Sequence, residues 1–369
     1  MDTKYMKRAL ELAIKGQGKV LPNPMVGAVI VKEGRIIGEG YHKKCGDFHA
    51  EVDAFNNASE DVIGAEMYVT LEPCSHYGKT PPCADKIIEK GIKRVYIGML
   101  DPNPLVLGKG VRKLINAGIE VDIGILEEEC KRLNEVFIKN ITLKTPFVIQ
   151  KWAMSLDGKI ATVSGESKWI SGEESRKNSH KLRNEVCGIM VGIGTVLKDD
   201  PMLTCRVEHG KNPIRIVVDS SLRIPIESKI VETSKSIRTI IATTDKAKAE
   251  KIKVLKNKNI EIIKCRDKNG KVNLKELMDK LMELKIYSIL LEGGSSLNYS
   301  ALEEKIVDKI HVYIAPKILG GEFSKTPVGG NGFKEIIDGV RLKNIEYKTI
   351  ANDIFIGGYV EKEETCLQV

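Results

Sequence analysis

Two stretches decide how this chain reads: "FHAEVDAFNNA", Phe48 to Ala58, and "LEPCSHYGKTPPCADKIIEKG", Leu71 to Gly91. In the first, His49 stands two residues ahead of Glu51, where an apolar helical pattern begins. In the second, Cys74 and Cys83 each follow a proline. One imidazole and two thiolates fill three corners of a tetrahedral zinc shell and leave the fourth for water, as catalytic zinc sites do. Glu51 lies close enough to reach that water without ligating the metal. Buried, unligated side chains are the plainer reading of any one of these residues alone. Their combined order points instead to a metal.

This is the equipment of a hydrolytic deaminase. Metal-activated water attacks an amidine-like carbon, and the carboxylate carries the proton to the departing amine. The H-x-E … P-C-x-x-C signature of zinc nucleobase deaminases has the same parts. Here, however, eight residues, "SHYGKTPP", separate Cys74 from Cys83, so the thiolates do not share a helical turn. Cys74 is expected to end the loop after a strand, and Cys83 to open the next helix, whose N-terminus favours a thiolate. The insert carries His76 and Lys79, cations suited to a base with a phosphorylated tail. Asn23 and His42 are further pocket candidates, with turn chemistry and a surface histidine as the alternative reading. Cys45 is set aside, because a site built on it leaves the Pro-Cys74 and Cys83 pattern unexplained.

Working outward, Tyr5, Met6, Ala9, Leu10, Ala13 and Ile14 recur at helical spacing. "VGAVIVKEGRIIGEG" reads as a hairpin turning at Glu33-Gly34. Strands "MYVTLEP", "RVYIGML" and "EVDIGI" then alternate with helices, the last one expected over Leu126–Ile141. Pro146 marks the boundary. The second half restarts at "FVIQKWAMSLDGKIA" and alternates again through "CGIMVGIGTVL", "IRIVVDSSL", "TIIATT", "IEIIKC", "YSILLEGG" and "KIHVYIAPKIL". Helices and strands taking turns imply α/β domains with largely parallel sheets. Two different domains are expected, residues 1–144 and 145–369, with no repeat relating them.

Composition agrees with a globular chain: 369 residues, 42% hydrophobic and 29% charged, too long for a single core. The net charge is +8, which suits nucleic acid, anionic lipid or a phosphorylated small molecule. Aromatics at 5% are too scarce for base-stacking platforms, and the small molecule is the better partner. No segment reads as a signal peptide or membrane span. Eight cysteines without a secretory signal suggest reduced thiols and a cytoplasmic protein.

The segments "PNPMVGAVIV", "HAEVDA", "EPCSHYGKTPPC", "DPNP", "KWAMSLDGKIA", "GESKWI", "VGIGTVLKDDPMLT" and "LEGGSSL" together resemble one family over nearly the whole chain: the bifunctional riboflavin-biosynthesis deaminase–reductases. Asp53 departs from it, standing where that family often has histidine, and so does Leu107. The resemblance implies a cytidine-deaminase-like first domain and a dihydrofolate-reductase-like second one. It implies zinc on His49, Cys74 and Cys83, with Glu51 as proton shuttle. It also implies deamination of 2,5-diamino-6-(5-phosphoribosylamino)pyrimidin-4-one. NADPH-dependent reduction of 5-amino-6-(5-phosphoribosylamino)uracil, ribosyl to ribityl, follows. A homo-oligomer is expected.

The second half has chemistry of its own. In "LLEGGSSLNYSALEEK" a strand runs into Glu292 and a glycine-serine helix start, where backbone N–H groups at Gly294, Ser295 and Ser296 can hold a cofactor phosphate; an ordinary strand-to-helix turn reads the same way. The G-x-G-x-x-G fingerprint is absent, so no Rossmann domain is indicated. Lys151 stands in an apolar strand, unusual unless it faces a cleft. Asp199 and Asp200 precede Pro201 and also fit a turn or N-cap. By resemblance, Lys151 and Asp199 face the reacting ribose, and Asp199, Ala153, Trp169, Thr195 and Ser221 contact cofactor. Ser167, Arg183, Leu203, Arg206 and Glu292 then contact substrate, with arginine apt for its phosphate. Ser220, Ser221 and Arg223 lend loose support to a 2′-phosphate preference. Two rivals are an RNA- or nucleotide-editing zinc deaminase with a basic nucleic-acid-binding second half, and a non-catalytic zinc-binding partner protein.

Overall fold

A computed structural model describes residues 3–77, 81–104 and 106–362. The chain divides into two compact units, Met1–Lys144 and Thr145–Val369. In the first, α1 (Lys4–Ile14) is followed by β1 (Gly27–Lys32), β2 (Arg35–Tyr41), α2 (Ala50–Asn56), β3 (Glu66–Leu71) and α3 (Cys83–Glu89). Then come β4 (Arg94–Met99), α4 (Lys109–Asn116), β5 (Glu120–Ile123), α5 (Glu127–Leu133) and α6 (Glu135–Leu143). The sheet order is β2-β1-β3-β4-β5.

Alternate residues of each strand face opposite ways, and both faces are buried. Ala28, Ile30, Met67, Val69, Val95 and Ile97 pack against Ala50 and Ala54 of α2, Ala84 and Ile87 of α3 and Val111 and Leu114 of α4. Val29, Val31, Tyr68 and Tyr96 pack on the other face with Met6 and Ala9 of α1 and Cys130 of α5. A Cβ at Gly40 in β2 would fall 2.2 Å from the Ala54 nitrogen. Only glycine lets α2 lie this close to the sheet, and α2 sets the positions of His49 and Glu51.

Two expectations need correction. The sheet is mixed, since β1 pairs antiparallel with both β2 and β3, and only β3, β4 and β5 run parallel. The helix expected over Leu126–Ile141 is two helices that part at Asn134. The buried Asn134 amide accepts the Met25 N–H (2.8 Å) and donates to the Met25 carbonyl (2.9 Å). Such side-chain bonds compete with regular helix.

The second unit comprises β6 (Phe147–Ser155), α7 (Glu173–Glu185), β7 (Gly188–Gly192), α8 (Ile193–Asp199), β8 (Ile214–Val218) and α9 (Lys229–Glu232). It continues with β9 (Thr239–Thr243), α10 (Ala249–Asn257), β10 (Glu261–Lys264), β11 (Asp267–Lys268), β12 (Lys271–Val272) and α11 (Leu274–Glu283). It ends with β13 (Ser288–Leu291), α12 (Ser295–Glu303), β14 (Lys309–Ala315), β15 (Leu342–Ile350) and β16 (Asp353–Val360). Nine strands form one sheet in the order β10-β9-β8-β7-β13-β6-β14-β16-β15. Seven run parallel; the terminal β15–β16 hairpin adds antiparallel strands. Cores on the two faces gather around Met190, Ile216 and Leu277 and around Val191, Val217 and Leu255. β15 is exposed along most of its length.

Two candidate active sites

In the first unit the folding of α2 and α3 brings the three expected ligands together. His49 caps α2, Cys83 is the first residue of α3, and Cys74 lies in the loop after β3. His49 Nδ1 lies 3.2 Å from Cys83 Sγ and 3.6 Å from Cys74 Sγ, and the three ligand atoms are within 4.8 Å of one another. Tetrahedral zinc with ordinary Zn–N and Zn–S bonds spaces such atoms by roughly 3.5 Å, so this donor set fits zinc. The Cys83 N–H donates to Cys74 Sγ (3.3 Å) and the Ala84 N–H to the Cys74 carbonyl (3.1 Å). These two bonds tie the ends of the eight-residue insert together.

Electrostatics favour the same occupant. The Cys83 thiol hydrogen bond lowers Cys74 to about 4, with His49 assisting, while Cys83 is itself raised. The bond to Cys74 raises His49 to about 9. The cluster thus holds a proton among three groups, and a divalent cation takes its place. Glu51, 3% exposed, is raised to about 7 by burial, then by the Cys74 charge, against the opposing pull of His49. A carboxyl near neutrality suits proton transfer in both directions.

His42 is buried beside this cluster, its ring 5.8 Å from that of His49. Its Nδ1 lies 3.0 Å from the Phe48 carbonyl, which only accepts, so Nδ1 carries the proton and Nε2 accepts from the Asn23 amide at 3.1 Å. Burial lowers its pKa and keeps the ring neutral. His76 is exposed, and Lys79 lies outside the described residues. Asp53 is buried, accepts the Tyr41 N–H (3.2 Å) and pairs with Lys43 (2.8 Å).

Glu72, the residue before Pro73-Cys74, was not singled out from sequence. Its buried carboxylate accepts N–H bonds from Asp101, Gly108, Gly110 and Val111 at 2.9–3.3 Å. The partners lie 29 to 39 residues downstream, so no local pattern could reveal them. Glu72→Ala strands these buried donors and is expected to cost at least about 2 kcal/mol, measurable as a lowered urea midpoint for the first unit.

In the second unit a cavity of about 460 Å³ opens at the carboxyl ends of β7, β8 and β13, the position at which open α/β sheets bind ligands. Ser167, Thr195, Asp199, Gly294, Ser295 and Ser296 line it. Ser220 lines it in place of Ser221, and Ala153 and Trp169 lie outside the lining. Trp169 is 61% exposed, with the Arg176 guanidinium 4.6 Å above its ring. Leu203 packs in the core with Ile193 and Leu222, and Arg206 is exposed.

A charged cluster is built from β6, α7 and the end of β13. Arg183 forms a two-pronged pair with Glu292 at 2.8 and 2.7 Å and donates to the Thr204 carbonyl at 2.9 Å. Its fork is therefore spent on protein groups. Burial raises the Glu292 carboxyl, but Arg183 and Lys151 prevail and hold it at about 2. Burial lowers Lys151, Glu292 opposes that shift, and Arg183 adds to it.

A His-Cys-Cys centre beside a buried glutamate in one unit and a cleft at the carboxyl ends of parallel strands in the other define a two-domain α/β enzyme. Residues 1–99 match the cytidine and deoxycytidylate deaminase zinc-binding region, and residues 146–356 match the RibD C-terminal domain. The riboflavin biosynthesis protein RibD of Actinobacillus pleuropneumoniae is 50% identical over 96% of this chain and 94% of its own, and that of Aquifex aeolicus 47% over 96% and 98%. A Thermotoga maritima diaminohydroxyphosphoribosylaminopyrimidine deaminase/5-amino-6-(5-phosphoribosylamino)uracil reductase superposes with a TM-score of 0.82 at 39% identity, covering 97% of this chain and 98% of that one. Acinetobacter baumannii RibD gives 0.83 at 36%, covering 98% and 99%.

The chain belongs to the RibD family of bifunctional riboflavin-biosynthesis deaminase–reductases. None of these matches supports a nucleic-acid-binding second half. Among the described residues no helix is long and apolar enough to cross a membrane.

Proposed function

We propose that the first unit deaminates the diaminopyrimidinone ribotide and that the second reduces the resulting aminouracil ribotide to its ribityl form. The spacing of His49, Cys74 and Cys83 beside buried Glu51 carries this reading. Zinc held by these ligands supplies Lewis acidity that activates water. Glu51 takes a proton from the attacking water and returns it to the departing amine. Neutral His42, oriented by Phe48 and Asn23, lines the pyrimidine pocket, and His76 serves the phosphate tail.

In the second unit NADPH supplies the hydride, and the backbone N–H groups at Gly294, Ser295 and Ser296 with Thr195 hold its pyrophosphate. Lys151 donates a proton to the ribose ring oxygen as the sugar opens. Arg183 fixes Glu292, whose charge favours the protonated lysine. Asp199 orients the ribose, and Arg206 is free to read the substrate phosphate. A second copy of the chain would cover exposed Ile345 and Tyr347 on edge strand β15, so we infer a homo-oligomer. The thiol ligands call for a reducing, cytoplasmic setting.

The test supplies the diamino ribotide to the protein and follows ammonia and NADPH together. A zinc chelator should stop both signals from this substrate yet spare reduction of substrate already deaminated. Ammonia release that persists after complete zinc removal would overturn the assignment.

A further inference from the structure

Lys151 shares its face of the sheet with two rings that have no part in the steps above. Strand β14 runs parallel to β6, with His311 opposite Lys151 and Tyr313 opposite Ala153, and alternation places these four residues on one face. The Lys151 ammonium lies over the Tyr313 ring, 5.7 Å from its centroid, within the distance at which a cation is drawn to an aromatic face. Two contacts fix that ring. Tyr313 is fully buried, its hydroxyl donates to Asn178 Oδ1 of α7 at 2.5 Å, and its edge meets Phe355 of β16 in a T-shaped contact at 5.3 Å. Burial pushes the phenol up to about 12, so the ring stays neutral and offers its π face.

The charged groups around Lys151 oppose one another. Burial disfavours the ammonium, Glu292 at the end of β13 favours it, and Arg183 of α7 repels it. Glu292 is already engaged by both prongs of the Arg183 fork, so the lysine has only a share of that carboxylate. His180 of α7 and His311 of β14 complete the surroundings. Burial lowers both, His311 to about 4, and neither adds a charge near neutral pH. An aromatic face supplies attraction here without placing a second carboxylate beside the reacting sugar.

We infer that the Tyr313 ring face holds Lys151 in its charged form for reduction, which makes Tyr313 a positioning residue acting through Lys151. This rests on the reading of Lys151 as the proton donor.

The test follows the Lys151 Cε NMR resonance of the full chain through an alkaline titration, with the signal assigned by its loss in Lys151→Met. Tyr313→Phe keeps the π face and should leave the midpoint in place, whereas Tyr313→Leu should lower it by about 0.4–1.5 pH units, the span of a cation–π contact. Leucine also changes the packing, so a second series keeps the shape. Phenylalanines carrying one, two and three ring fluorines in place of Tyr313 drain the π face and should lower the midpoint stepwise. A midpoint unmoved along the fluorinated series, or one that falls as far in Tyr313→Phe as in Tyr313→Leu, overturns the inference. The pH profile of NADPH oxidation with deaminated substrate separates the two levels. An alkaline limb that tracks the resonance supports both, and a resonance that shifts while the limb stays put sinks the proton-donor reading and leaves the ring contact standing.

Discussion

Glu51→Gln is expected to lower ammonia release by about 10²–10⁴-fold, the usual span of a general acid–base contribution, while one zinc ion per chain remains bound. Glutamine keeps the shape of a side chain that is 3% exposed and removes only its capacity to carry a proton. The ligand set of His49, Cys74 and Cys83 is untouched, so metal analysis should match the wild type. Reduction of substrate already deaminated should also match, because the second site belongs to the other compact unit. Loss of zinc in this variant would make Glu51 a ligand, and retention of full deamination would remove it from the chemistry.

Lys151→Met is expected to do the reverse, sparing ammonia release and lowering reduction by about 10²–10⁴-fold. The wild-type protein should show its own signature in pH. Burial lowers Lys151 below the ordinary lysine value of about 10.4, and the proton donor is the charged form. Reduction should therefore fall along an alkaline limb that begins below that value. Glu292 favours the charged lysine, so Glu292→Gln should move the limb to lower pH. A Lys151→Met protein with normal NADPH oxidation, or a limb that stays put in Glu292→Gln, would remove Lys151 from the proton step.

Much of the first site was legible because metal ligation depends on residue type and on which elements hold each ligand. His49, Cys74 and Cys83 announce themselves by composition, and alternating strands and helices place them. Asn134 and Glu72 did not announce themselves. Each is a common polar residue whose role comes from a backbone segment far away in sequence, Met25 in one case and residues 101–111 in the other. The second site was read less completely for a similar reason. Lys271, on the wall of the second unit's cavity, stands in a hairpin of two-residue strands, too short for periodicity, although Asn269-Gly270 was a usable turn signal. The pairing of Arg183 with Glu292 was hidden because it spans 109 residues. Mixed sheet direction was hidden as well, since the alternation of apolar residues in β1 does not reveal which neighbour it pairs with.

The neck at Cys74, held by the Cys83 and Ala84 amides, separates two kinds of evolutionary freedom. The anchoring bonds lie at the two ends of the insert, so a change of sequence between them leaves the backbone and thiol contacts of Cys74, Cys83 and Ala84 to hold the ligand spacing. Grafting a relative's insert between the same anchors should leave zinc on His49, Cys74 and Cys83, which metal analysis would read.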